Sequence, residues 1–181
     1  AVLVVAVAAG PAQAMSDAEL KTIVEQRFVG DRTGACVAVA FIGETVATAY
    51  VCANPTSARA IDATTAFEIG SVTKTMTAAL LADLILQGKI SLDDPLSKLL
   101  PPGSKVPDFN GQPILLRHVV THTSGLPTIP PIMETANPIN PYATLNEQTL
   151  LAALANTTLT RAPGSQTEYS NFAMVVLSVG I

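Results

Sequence analysis

Residues 68–89 read EIGSVTKTMTAALLADLILQGK. Met76, Ala79, Leu80 and Leu84 fall on one face at helical spacing, and Gly88 stands where a helix C′ residue belongs. The pattern predicts a helix from about Ser71 to Gly88. Its opening, Ser71-Val72-Thr73-Lys74, is polar and admits two meanings. Ser71 can be an exposed N-cap followed by a solvated lysine. Alternatively, Lys74 projects from nearly the same side as Ser71, and the pair is a nucleophile with its base. An ammonium withdrawn from water loses stability, and a neutral amine within reach of a serine is a competent general base. S-x-x-K alone is a weak signal and needs a second one.

Tyr169-Ser170-Asn171, between a Pro163-Gly164 turn and the apolar run to Ile181, is that second signal. A phenol beside a serine can relay its proton, and an Asn amide can hold a carbonyl or a lysine. The plainer reading is a turn with a partly buried tyrosine. Both motifs stand, in order, at helix entrances.

Working outward, Ser16-Asp17-Ala18-Glu19 is a capping box ahead of Leu20, Ile23, Val24 and Phe28, so a helix is expected over 17–28. Residues 35–52 alternate as a hairpin turning near Gly43-Glu44. A three-residue loop would set Cys36 opposite Cys52; a two-residue loop would put them on opposite faces. A disulfide or two free buried cysteines are both open. ILLRHVVTH, residues 114–122, reads as a short helix ending at Ser124-Gly125. Residues 127–141 hold five prolines and read as a long irregular loop, neither helix nor inner strand. Thr144 to Glu147 is expected to cap a helix that turns Leu150, Leu151 and Leu154 inward.

Composition bounds the function. Of 181 residues, 49% are hydrophobic and 13% charged, which excludes a disordered chain. A net charge of −4 and no basic cluster argue against nucleic acid as a partner. AVLVVAVAA, residues 1–9, is too short to span a membrane. With Ala12-Gln13-Ala14 behind it, residues 1–14 read as the remnant of a signal peptide, leaving 15–181 as the N-terminal part of a periplasmic or secreted domain. The missing n-region and the apolar stop at Ile181 suggest a chain cut at both ends. His118 and His122 lack a third ligand for a metal. Ser124 lacks a G-x-S-x-G setting. Structural roles are expected for both histidines.

FEIGSVTKTMTAALLADLILQGKISLDDPLSKLLP, LRHVVTHTSGLP and PGSQTEYSNFAMVVLSVG resemble successive blocks of the class C β-lactamase and penicillin-binding-protein superfamily of serine hydrolases. The resemblance spans roughly residues 17–181. It implies an α+β fold of the β-lactamase/transpeptidase type, with a helical region inserted between the first and last strands of an antiparallel sheet. It also implies Ser71 as nucleophile, Lys74 and Tyr169 as proton-transfer groups and Asn171 as a substrate-binding residue. The Lys/His-Thr-Gly-like triplet of that superfamily, which lies on a late strand giving a second oxyanion donor, does not occur in these residues. The expected activity is acyl transfer, without metal or cofactor, on a β-lactam, a D-amino-acid peptide or a short ester. The alternatives are a penicillin sensor that does not turn over and an inactive fragment.

Overall fold

The computed structural model describes residues 14–57, 60–135 and 142–181. Residues 1–13, which hold nearly all of the leader reading, lie outside it, as do residues 136–141 of the proline-rich segment. The chain divides into two compact units, residues 1–70 and 71–181.

In the first unit, helix α1 (Asp17–Phe28) begins as its sequence predicts. Ser16 Oγ accepts the Glu19 N–H at 3.3 Å, and Glu19 Oε2 accepts the Ser16 N–H at 2.9 Å. Strands β1 (Cys36–Ile42) and β2 (Val46–Cys52) pair antiparallel from Ile42↔Val46 to Cys36↔Cys52. The connection is the three-residue loop, so the two cysteines meet and are bonded. Along β2 the alternation buries Ala47, Ala49 and Val51, and α1 packs on that strand with Leu20 buried beside the two alanines.

A two-stranded ribbon is marginal by itself, and the disulfide closes it at its open end. Closing a loop of about this length stabilises by roughly 3 kcal/mol. Reduction, or the Cys36→Ser/Cys52→Ser pair, should therefore speed hydrogen exchange of the β1–β2 amides by about a hundredfold. Unchanged exchange would show that α1 alone holds the ribbon.

The second unit is helical. A 3₁₀ turn at Gly70–Val72 runs into α2 (Thr73–Leu86). At its far end Gly88 takes φ +69°, its N–H donates to Ile85 O, and the Lys89 N–H donates to Leu84 O. That is a Schellman cap, and its left-handed residue explains the glycine. The buried face differs from the predicted one. Leu81 is buried and Ile85 packs on the core, while Met76 and Leu80 are 56% and 59% exposed. Nearly every side of α2 is apolar, so periodicity has no single solution.

Three further elements depart from expectation. Helix α3 is only Leu116–Val120, because residues 114–117 run alongside 92–96: Ile114 O accepts the Leu96 N–H and Asp94 O accepts the Leu116 N–H. Helix α4 (Glu147–Ala155) is capped by Asn146, which accepts the Thr149 N–H, not by Thr144. Asn is the better N-cap of the two overlapping candidates. Pro131–Thr135 forms a short 3₁₀ helix, with proline at the first position where its missing N–H costs little. A small ribbon, β3 (Asp108–Phe109) with β4 (Gln112–Pro113), turns through Asn110-Gly111.

Helix α5 (Asn171–Val179) is the centre of the unit. Phe172, Ala173, Val176 and Leu177 are fully buried, and α5 packs against α2, α3 and α4. Leu150 and Leu154 of α4 point into this core as predicted, while Leu151 is partly buried at its edge. No helix among the described residues is long and apolar enough to cross a membrane.

Candidate active site

The four predicted residues lie together at the beginnings of α2 and α5. Gly70, at φ +53°, turns the chain into the 3₁₀ turn that carries Ser71. Nothing would obstruct a Cβ there, so the backbone angle is what calls for glycine. Ser71 is exposed and Lys74 half-buried. Lys74 Nζ donates to Ser71 Oγ at 3.0 Å and to Asn171 Oδ1 at 2.6 Å. The Tyr169 hydroxyl donates to the same Ser71 Oγ at 2.6 Å, and Lys74 Nζ lies 4.9 Å from the Tyr169 ring centre.

The segment 168–171 owes its place to the loop 122–128. Ser170, fully buried, caps α5 by accepting the Ala173 N–H at 2.9 Å and donates its hydroxyl to Pro127 O at 2.7 Å. The Asn171 N–H donates to Thr128 O at 2.8 Å. Asn171 is therefore the first residue of a helix whose next residues are core, so its amide is fixed beside Lys74.

Electrostatics follow from this geometry. The hydrogen bond with Lys74, then that with Ser71, hold the Tyr169 phenol below its ordinary pKa. Burial, then the Lys74 charge, lower the pKa of His122. Burial, then Arg117, do the same for His118.

Both histidines accept backbone protons, as a structural role requires: His118 Nδ1 from Leu115 and His122 Nδ1 from Ser170, each at 3.1 Å. His122 also stacks on Tyr169 with ring centres 4.5 Å apart. Sequence reasoning missed that contact. Ser124 is buried, with its Oγ accepting the Leu126 N–H, which closes it to substrate. Among the described residues no group of three or more His, Cys, Asp or Glu is placed to hold a metal.

Solved structures share this architecture. A β-lactamase/D-alanine carboxypeptidase from Yersinia pestis, complexed with citrate, superposes with a TM-score of 0.75 at 28% identity, covering 88% of this chain and 47% of that one. A D-stereospecific amidohydrolase from Streptomyces sp. gives 0.67 at 25%, covering 88% and 48%. The fold is thus of the β-lactamase/transpeptidase class, an α+β architecture.

The β-lactamase family model matches residues 20–180, and the chain belongs to that family. Among curated proteins, the D-alanyl-D-alanine-carboxypeptidase/endopeptidase AmpH of Escherichia coli K12 is 43% identical over 110 residues, 61% of this chain and 28% of AmpH. The chain spans under a third of that relative and about half of the two solved structures.

Proposed function

We propose that the full-length protein is an exported serine acyl hydrolase that cleaves D-alanyl peptides through an acyl-enzyme. The observation that carries this reading is the convergence of Lys74 Nζ and the Tyr169 hydroxyl on one exposed serine oxygen, with Asn171 holding the lysine. Ser71 Oγ bonds to the substrate carbonyl carbon and its proton passes to the Lys74–Tyr169 pair, which titrates as a unit. The oxyanion that develops lies against the Ser71 N–H at the mouth of α2. The carbonyl then reforms, the C–N bond breaks, and the pair returns the proton to the leaving amine. Water attacks the ester, gives its proton to the pair, and Ser71 regains it as the carboxylate departs.

Three carbonyl classes suit this chemistry: a β-lactam, a D-amino-acid peptide and a short ester. The names of the relatives favour the D-alanyl peptide, since AmpH and the Yersinia protein are carboxypeptidases by name and the Streptomyces protein is D-stereospecific. The Cys36–Cys52 bond supports a periplasmic or secreted location, as does the leader reading of residues 1–14.

The test uses the full-length protein with a fluorophosphonate, a fluorescent penicillin and a D-alanyl-D-alanine peptide, mapping adducts by mass spectrometry. An adduct on Ser71 with release of D-alanine is expected. A penicillin adduct on Ser71 that persists without peptide turnover would make the protein a sensor. An adduct on Ser124, or none on a folded protein, would overturn the reading.

A further inference from the structure

We propose that His122 is a positioning residue that braces Tyr169, keeping its phenol oxygen on Ser71 Oγ. This rests on the functional reading above for its catalytic consequence, though not for its geometry. His122 grips the chain on both sides of Tyr169. Its carbonyl accepts the Glu168 N–H at 2.7 Å, and its Nδ1 accepts the Ser170 N–H at 3.1 Å. Its ring lies against the tyrosine ring between them, tilted by 36°.

The backbone at His122 is shaped for that grip. Its φ is +56°, a left-handed conformation uncommon for a residue with a side chain but enriched in histidine. Tyr169 needs a brace because it is 43% exposed and its bond to Ser71 spans 98 positions of chain. A phenol free to turn about its two side-chain bonds would leave the serine. The acceptor on Nδ1 requires the neutral ring in its Nε2–H tautomer, and burial together with Lys74 favours the neutral form.

The brace is separable from the fold. Helix α5 keeps its Ser170 cap, the Ser170–Pro127 bond and the Asn171–Thr128 bond without any part of His122. Removing the imidazole therefore frees the ring of Tyr169 and leaves the helix seated.

In the full-length protein, His122→Gly keeps the backbone conformation and loses ring and acceptor; His122→Asn keeps the conformation and an acceptor. His122→Gly should slow fluorophosphonate labelling of Ser71 by about ten- to a hundredfold. The loss should lie in the maximal rate, with the half-saturating concentration unchanged and the melting temperature held. His122→Asn should recover part of the rate. Combined with Tyr169→Phe, His122→Gly should cost nothing further, because its effect runs through the phenol.

A second readout needs no catalysis. With ¹³Cζ-labelled tyrosine, the Tyr169 titration should move up toward the ordinary phenol value in His122→Gly as the ring leaves Lys74. An unmoved titration with an unchanged labelling rate, or an equal slowing in the Tyr169→Phe background, overturns the brace. A wild type that never labels at Ser71, yet whose Tyr169 titration follows His122, overturns the functional reading and upholds the brace.

Discussion

On the proposed reading, Ser71→Ala in the full-length protein should remove covalent labelling and lower hydrolysis of a D-alanyl peptide by on the order of a millionfold, as loss of the serine does in other acyl hydrolases. The reason is the position of one oxygen. Ser71 Oγ is where the Lys74 and Tyr169 bonds converge, and neither Ser170 nor Ser124 can replace it, since both are buried. The fold should hardly notice. Ser71 is exposed, and such substitutions usually stay within about 0.5 kcal/mol. Affinity for the uncleaved peptide should also survive, because the hydroxyl acts in the transition state. The measurement is turnover and peptide binding on the same preparation. Retained turnover would remove Ser71 from the chemistry, and lost binding with a lowered melting temperature would make it a structural residue.

Lys74→Met comes next in size, slowing acylation by about 10²–10⁴, the usual worth of a positioned proton-transfer group. Its second consequence is in pH. The hydrogen bond from Lys74 is the largest cause of the lowered Tyr169 pKa. Without the cation the phenolate loses its partner, so the phenol pKa rises. The alkaline limb of the labelling rate should move to higher pH accordingly. A slower reaction with an unmoved limb would mean that Tyr169 is not the titrating group and that Lys74 acts alone. Asn171, deprived of its 2.6 Å partner, sits at the first position of α5, where its amide can turn to water. Stability should therefore change little.

Local chemistry was legible in the sequence, and packing was less so. The α1 cap follows from residues adjacent in the chain and appears as expected, and the 36–52 hairpin takes the first of the two registers that its sequence leaves open. Asn110-Gly111 carries an equally local hairpin signal, with both residues at positive φ, but Pro107 and Pro113 on either side mask the short strands. The inward face of α2 is not legible from its sequence because Leu80 and Leu81 are equally apolar and only the tertiary partners decide between them.

For the candidate site, S-x-x-K and Y-x-N point to residues that the structure brings together, but neither spacing says that Lys74 reaches Asn171. The contact with His122 had no sequence signature, because HTSGL reads simply as a turn. Its left-handed histidine is visible only from the backbone.

The bond from Lys74 to Asn171 crosses 97 positions, and that from Tyr169 to Ser71 crosses 98. A ribosome therefore delivers the serine long before the groups that would arm it. On the proposed chemistry, the growing chain carries an ordinary hydroxyl through synthesis, harmless to its neighbours. On that reading, reactivity would arrive only when the last of these helices docks, and folding itself would switch the serine on.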